Sequence, residues 1–244
     1  MTNVIFFRVG WMKRYQGIST GDKLEGGAKH LVENKWGHEL FNFKEYNGYF
    51  YGYVPPANKR SRSIKLERIN SDFKNAEVLH NVLIIWTATK NGGIYIVGWY
   101  KHADVYQYQQ NDIKGREYNG EVIGYSTKAK MEDVVLLPIE ERTYKIPYGK
   151  GWSGESHVWY AEEQEEFKEK VKRYVEAYKE SKKSTSFIIG KEYVDNPDKQ
   201  DEQEQNEFIA IEAEKTREEI ISDLKGVTPK SPELVEVRGK QYRR

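Results

Sequence analysis

The side chains with most chemistry to offer in this chain are flat and aromatic. Trp11, Trp36, Trp99, Trp152 and Trp159 are candidates for a cage around a planar ligand. A base turned out of a duplex is held by stacking on aromatic faces and by hydrogen bonds to its edge. Each stacked base contributes roughly 1–3 kcal/mol. A methyl group on that base adds about 0.8 kcal/mol by transfer alone, so selectivity beyond a few-fold demands a tight cage. A second reading stands beside this one, because strands favour tryptophan and tyrosine for ordinary packing. Asn58 to Arg68, NKRSRSIKLER, is the densest basic stretch. Its Lys59, Arg60 and Arg62 suit phosphate contacts, or equally a solvated loop entering a strand over Ile64 to Ile69.

Catalytic signatures are missing. The sequence has no phosphate-cradling GxxxxGK[ST] loop, no dinucleotide glycine fingerprint, no His-Glu-x-x-His and no Gly-x-Ser-x-Gly. His30, His38, His80, His102 and His157 are scattered, with no pair at metal-ligand spacing on a helix. Ser153 and Ser156 neighbour His157, but sequence neighbours make no triad without an orienting geometry. With no cysteine there is no disulfide and no thiolate metal site. The pattern reads as a binder with no cofactor and no metal. A hydrolase built on Glu155, His157 and nearby acids is the second reading.

Polar composition sets the context, with 38% hydrophobic and 32% charged residues and a mean hydropathy of −0.84. No run of eighteen apolar residues suggests a membrane span, and MTNVIFFRVG does not read as a signal peptide, so a cytoplasmic location is expected. Charge is unevenly shared. Residues 1–160 hold 22 Lys+Arg against 17 Asp+Glu and all six tryptophans, whereas 161–244 hold 17 against 21. An aromatic, mildly basic first part suits a nucleic-acid partner.

The elements that must position these residues centre on Trp86 to Tyr108. Apolar runs at Val82 to Trp86 and Ile94 to Trp99 flank Asn91-Gly92-Gly93, and Asn-Gly between such runs signals a two-residue hairpin. Asn47-Gly48 signals another, leading into Tyr49 to Val54. Gln109 to Asn119 reads as a polar loop, Glu121 to Tyr125 as a short strand, and Val134 to Leu137 as a buried strand stopped by Pro138. Ala28 to Glu33 is a short helical piece. Glu162 to Lys179 places Phe167, Val171, Tyr174, Val175 and Tyr178 on one face of an amphipathic helix, closed by Ser181 to Thr185. Phe208 to Leu224 forms a last helix.

Two blocks resemble a known family. Trp86-Thr87-Ala88, Gly92-Gly93 and Ile96-Val97-Gly98-Trp99-Tyr100-Lys101-His102-Ala103-Asp104-Val105-Tyr106 are similar to a VGWY-(K/R)-N-A-x-V-Y block. Lys150-Gly151-Trp152-Ser153-Gly154-Glu155-Ser156-His157-Val158-Trp159-Tyr160-Ala161 is similar to a G-x-G-x-S-x-V-W-Y-A block. Both belong to N-terminal regions of bacterial HNH-type, modification-dependent restriction endonucleases. The path through Ile5 to Tyr15, Lys35-Trp36-Gly37 and Tyr49 to Pro55 resembles EVE-like domains of the PUA superfamily. His102 and His157 stand where the pattern commonly has asparagine.

The resemblance implies an α+β fold with a twisted, barrel-like sheet flanked by helices, and a pocket for a nucleotide flipped out of duplex DNA. It extends the site to Trp11, Tyr15, Trp36, Trp99, Tyr100, Trp152, Ser153, Ser156 and Trp159, with Lys101 and Lys150 joining Lys59, Arg60 and Arg62 on phosphates. The expected partner is double-stranded, modified DNA, with a nuclease domain or partner protein doing the cutting. An RNA-binding PUA-like domain is the alternative. The expected organisation is a reader over 1–180, an acidic linker over 181–205, a helix over 206–226 and a flexible basic tail over 227–244. Trp86 is assigned to the core, and Trp99 and Tyr100 to the pocket wall.

Overall fold

A computed structural model describes residues 3–25, 37–55, 63–154, 156–191, 234–237 and 240–243. The expected helices over 28–33 and 206–226, linker residues 192–205, and Trp36, Lys59, Arg60, Arg62 and Glu155 lie outside the described residues, whereas residues 181–191 of the expected linker are helical. The chain divides into two compact units, Met1–Ile146 with Lys150–Glu169, and Pro147–Gly149 with Lys170–Arg244.

The first unit is built on a mixed sheet of nine strands with the order β11-β1-β4-β5-β8-β3-β2, β9 and β10 adding to β5. The strands are β1 (Asn3–Val9), β2 (Glu45–Tyr46), β3 (Tyr49–Gly52), β4 (Val78–Lys90) and β5 (Gly93–Gln110). They continue as β8 (Tyr125–Lys130), β9 (Val134–Leu136), β10 (Lys145–Ile146) and β11 (Val158–Trp159). A separate small hairpin pairs β6 (Glu117–Tyr118) with β7 (Glu121–Val122). The barrel-like sheet expected from the resemblance is not closed: β11 and β2 end the order without meeting. Among the described residues one α-helix follows, α1 (Glu165–Lys191).

Three Asn-Gly pairs turn three hairpins. Asn47 and Gly48 (φ 51° and 80°), Asn91 and Gly92 (49° and 74°) and Asn119 and Gly120 (53° and 80°) all have positive φ at both central positions. That is the backbone a type I′ turn requires. The third pair was not foreseen; it folds part of the expected polar loop and strand into β6 and β7.

Strand β5 runs past Tyr100 to Gln110 because it bends rather than stops. Register slips against β4 occur near Leu79/Val82, Val82/Ile84 and Trp86/Thr87, and Asn81 and His102 take positive φ of 58° and 46°. These bulges increase local twist and redirect the strand. Its first half pairs with β9 and β10, its second half with β8. One strand therefore serves two differently oriented parts of the sheet.

The main core lies on the face of Phe7, Trp86 and Tyr100. Trp86 is fully buried, its ring 5.3 Å from both Phe7 and Tyr100 and 6.3 Å from Phe43. Gly52 makes room for it, since a Cβ there would lie 2.5 Å from Trp86 Cζ2, and Gly98 makes room for Phe43, since a Cβ there would lie 2.9 Å from Phe43 Cζ and against the Val135 carbonyl. Trp86 is core, as the sequence implied.

Helix α1 buries Phe167, Val171, Tyr174, Val175 and Tyr178, the face expected from its periodicity. It continues through Ser181 to Thr185 to Lys191. No glycine or proline interrupts it before Gly190, so each added residue costs little once the helix is nucleated. The strand expected over Ile64 to Ile69 is instead a 3₁₀ turn at Leu66–Arg68. In the second unit, β12 (Leu234–Val237) pairs antiparallel with β13 (Lys240–Arg243), within the segment read as a tail.

Candidate nucleic-acid interface

The loop leaving β1 carries Trp11 and Tyr15 inward. Trp11 exchanges two backbone hydrogen bonds with Glu25, at 3.0 and 2.9 Å. Asp22, buried, accepts from the Lys13 and Arg14 N–H groups at 2.7 and 2.9 Å and holds the loop's waist. Tyr15 sits at φ 53° and donates its hydroxyl proton to the Gly10 carbonyl at 2.8 Å. The buried Arg142 then fastens the loop to the sheet, donating to the carbonyls of Met12 (2.6 Å), Lys13 (2.7 Å) and Leu137 (2.9 Å). Its guanidinium lies 5.1 Å from the centre of the Trp11 ring, which also carries the Lys90 ammonium at 5.6 Å. Trp11 and Tyr15 are thus partnered interior rings rather than open ones.

The same holds for the two rings of the central hairpin. Tyr100 is fully buried among Phe43, Phe50 and Trp86 and donates its hydroxyl proton to the Asn42 carbonyl. Trp99 is 1% exposed on the opposite face of β5. It lies in a row running Trp159, Phe6, Ile85, Trp99 and Val135 across five strands. The wall expected of Trp99 and Tyr100 gives way to packing, because consecutive strand residues point to opposite faces and both faces here are covered.

The loop before α1 brings four predicted residues together near the surface. Trp152 and Trp159 are both partly exposed. Their ring centres are 6.1 Å apart at 44°, Phe167 lies 5.3 and 5.9 Å from them, and Phe6 lies 4.7 Å from Trp159. Arg8 anchors the loop, donating from Nη1 to the Gly154 carbonyl at 2.6 Å and from its backbone N–H to the His157 carbonyl at 2.8 Å. Gly151 takes φ 78°, a conformation glycine adopts without strain. Ser153 is buried, whereas the Ser156 hydroxyl turns back on Val158, accepting from its N–H at 3.2 Å and lying 2.8 Å from its carbonyl. His157 Nδ1 sits 3.1 Å from the Arg8 carbonyl, so ring and hydroxyl serve the backbone. Lys150 is exposed at the loop's start; Lys101 is half-buried on β5.

Two features were not read from the sequence. A chain of tyrosines crosses β3, β8 and β5, with ring centres 6.2 Å apart for Tyr49–Tyr51, 4.9 Å for Tyr51–Tyr125 and 5.6 Å for Tyr125–Tyr106. The alternation of Tyr49 and Tyr51, and of Asp104, Tyr106 and Tyr108, was the available signal. The second is Glu39, 2% exposed in the 3₁₀ turn His38–Phe41. Its Oε1 accepts from the Gly10 N–H at 3.1 Å, and its Oε2 is buried without a partner. Desolvation pushes its carboxyl up to about 7, against the opposing pull of the Gly10 N–H.

Among the described residues no three His, Cys, Asp or Glu side chains gather as a metal site, and no helix is long and apolar enough to cross a membrane. Comparison of the chain with family models, with curated proteins and with solved structures found no match.

Proposed function

We propose that the chain binds DNA and recognises a modified base, as the specificity module of a restriction or defence system. The observation that carries this reading is the Trp152–Trp159 pair: two partly exposed indoles in ring contact, on a glycine-rich loop beside an exposed lysine. An indole face open to solvent is a stacking surface for an extruded base, and a neighbouring cation suits the phosphate it leaves behind. Phe6 packs on Trp159 and Phe167 on both indoles, which holds the two rings in place relative to the sheet. On this reading the site is smaller than the cage implied by resemblance, with Trp11, Tyr15, Trp99 and Tyr100 shaping the sheet below it.

The resemblance of Lys150 to Ala161 to the reader regions of modification-dependent endonucleases supports the same conclusion. The open nine-stranded sheet is then a PUA/EVE-like sheet that stops short of closure, and cleavage belongs to a nuclease domain or partner protein. Competition binding tests the reading. Duplexes carrying methylated, hydroxymethylated or phosphorothioate groups are set against plain DNA and against matched RNA. One modified duplex should compete better than its plain twin. Equal, weak competition by every duplex refutes the proposal, and preference for RNA assigns the chain to the alternative class, because the 2′-OH is what separates the two.

A further inference from the structure

We infer that Arg68 is a positioning residue for the indole pair: by clasping Tyr160 and Glu162 it fixes how Trp152 and Trp159 stand before a base arrives. The inference rests on the base-stacking reading of that loop and deepens it. Arg68 projects from a firm base. Its 3₁₀ turn, Leu66–Arg68, is pinned by the buried Ile64 and Leu66, and the Ile64 N–H donates to the Gln107 carbonyl at 2.8 Å. From there the guanidinium reaches the segment that follows β11.

Two grips meet at that guanidinium. Its Cζ stands 4.1 Å from the centre of the Tyr160 ring. Its fork donates to both oxygens of Glu162, from Nε at 2.8 Å and from Nη2 at 2.7 Å. Tyr160 is itself tied back, since its hydroxyl accepts from the Lys65 N–H at 2.8 Å. A planar fork can serve a carboxylate bidentately while lying on an aromatic face, which an ammonium cannot. Lys168, the other cation acting on Glu162, is engaged by Glu165 at 2.6 Å.

Between the two gripped residues the backbone is strained. Ala161, buried, takes φ 48°, a left-handed conformation that a residue with a Cβ holds only when its surroundings dictate it. The clasp on either side supplies that constraint, at the bend where the chain turns from β11 toward α1. Beyond the bend the Gln164 N–H donates to the Ala161 carbonyl at 3.1 Å, and Gln164 Nε2 donates to the Gly151 carbonyl at 3.2 Å. One cation therefore acts on both indoles, on Trp159 through its neighbour Tyr160 and on Trp152 through Glu162, Gln164 and Gly151. Arg8 holds the loop upstream; Arg68 is its downstream counterpart. Both members of the Arg68–Glu162 pair are half-exposed, and an exposed ion pair contributes little to global stability. What it sets is local geometry, and a pre-ordered site loses less freedom on binding.

Hydrogen exchange and duplex binding test the inference together, on the full chain in wild type, Arg68→Ala and Glu162→Gln. In both variants the Trp152, Trp159 and Glu162 amides should exchange several-fold faster while the thermal midpoint stays close to wild type. The ratio of plain to modified dissociation constants should fall roughly tenfold, through weaker binding of the modified duplex. Arg68→Lys keeps the charge without the fork and should behave as Arg68→Ala does. Unchanged exchange at those amides in both Arg68→Ala and Glu162→Gln overturns the inference. So does an equal loss of affinity for plain and modified duplexes, which would make Arg68 a phosphate contact, and so does full selectivity in Arg68→Lys. A wild-type ratio of one for every modified duplex sinks the base-stacking reading instead, and exchange then decides alone whether Arg68 holds the loop.

Discussion

Glu39→Gln should remove a pH dependence that burial has built into the fold. The carboxyl is 2% exposed, keeps one hydrogen bond from Gly10 and leaves its second oxygen unpartnered. Burial raises its pKa from 4.5 to about 7. In the unfolded chain the group releases its proton first, near 4.5, while the folded form still holds it. Between those values the folded state binds more protons, so stability falls as pH rises. Below 4.5 both states are protonated and the penalty vanishes; above 7 it is complete. The gap corresponds to about 3 kcal/mol at full ionisation, a large share of a typical 5–15 kcal/mol total.

Glutamine is nearly isosteric, keeps the acceptor for Gly10 and cannot ionise. It should match wild type within about 1 kcal/mol at pH 4.5 and exceed it by about 2–3 kcal/mol at pH 8. Urea unfolding followed by tryptophan fluorescence at half-unit steps from pH 4.5 to 8 reads both profiles. His38 has its pKa lowered by burial and by Arg116, but it is present in both proteins and cancels in the difference. Parallel profiles for wild type and variant refute the reasoning, since they would mean that Glu39 is solvated or paired in the folded state.

Arg142→Ala should destabilise by about 3 kcal/mol or more, because three carbonyls of Met12, Lys13 and Leu137 lose a buried donor at once; the urea midpoint measures it. Gly98→Ala should cost at least as much as a core cavity, about 2–5 kcal/mol, since its Cβ has no room beside Phe43 and the Val135 carbonyl; loss of soluble, cooperatively unfolding protein is the readout. Trp99→Ala should cost about 3–5 kcal/mol, whereas Trp152→Ala, at a partly exposed ring, should cost clearly less. Similar thermal midpoints for those two variants would put Trp99 outside the core.

The hairpins were the most legible part of the fold, for a local reason. Asn91-Gly92 and Asn47-Gly48 specify backbone angles that few other pairs tolerate, so two residues fix a register. Asn119-Gly120 carried the same signal but lay between strands only two residues long, too short for periodicity to stand out. The buried face of α1 was legible because five apolar residues at helical spacing leave no competing pattern. Fates of individual rings were not. Trp86 could be placed in the core from its apolar strand, but Trp99, Trp152 and Trp159 look alike in sequence, and what separates them is non-local. Gly52, more than thirty residues away in the chain, clears space for Trp86, while a bulged strand and a covered face bury Trp99. Glu39 and Arg142 were invisible for the same reason, since their partners, Gly10 for one and Met12, Lys13 and Leu137 for the other, are mostly distant in the chain.

The central claim is tested most directly by one ratio: the dissociation constant for a plain duplex divided by that for its twin carrying a single modified base, in wild type and in Trp152→Ala. A ratio well above one for at least one modification, falling to about one in Trp152→Ala while the thermal midpoint stays close to wild type, is the predicted result. A wild-type ratio of one for methylated, hydroxymethylated and phosphorothioate duplexes alike, or a selective ratio untouched by removing Trp152, contradicts it.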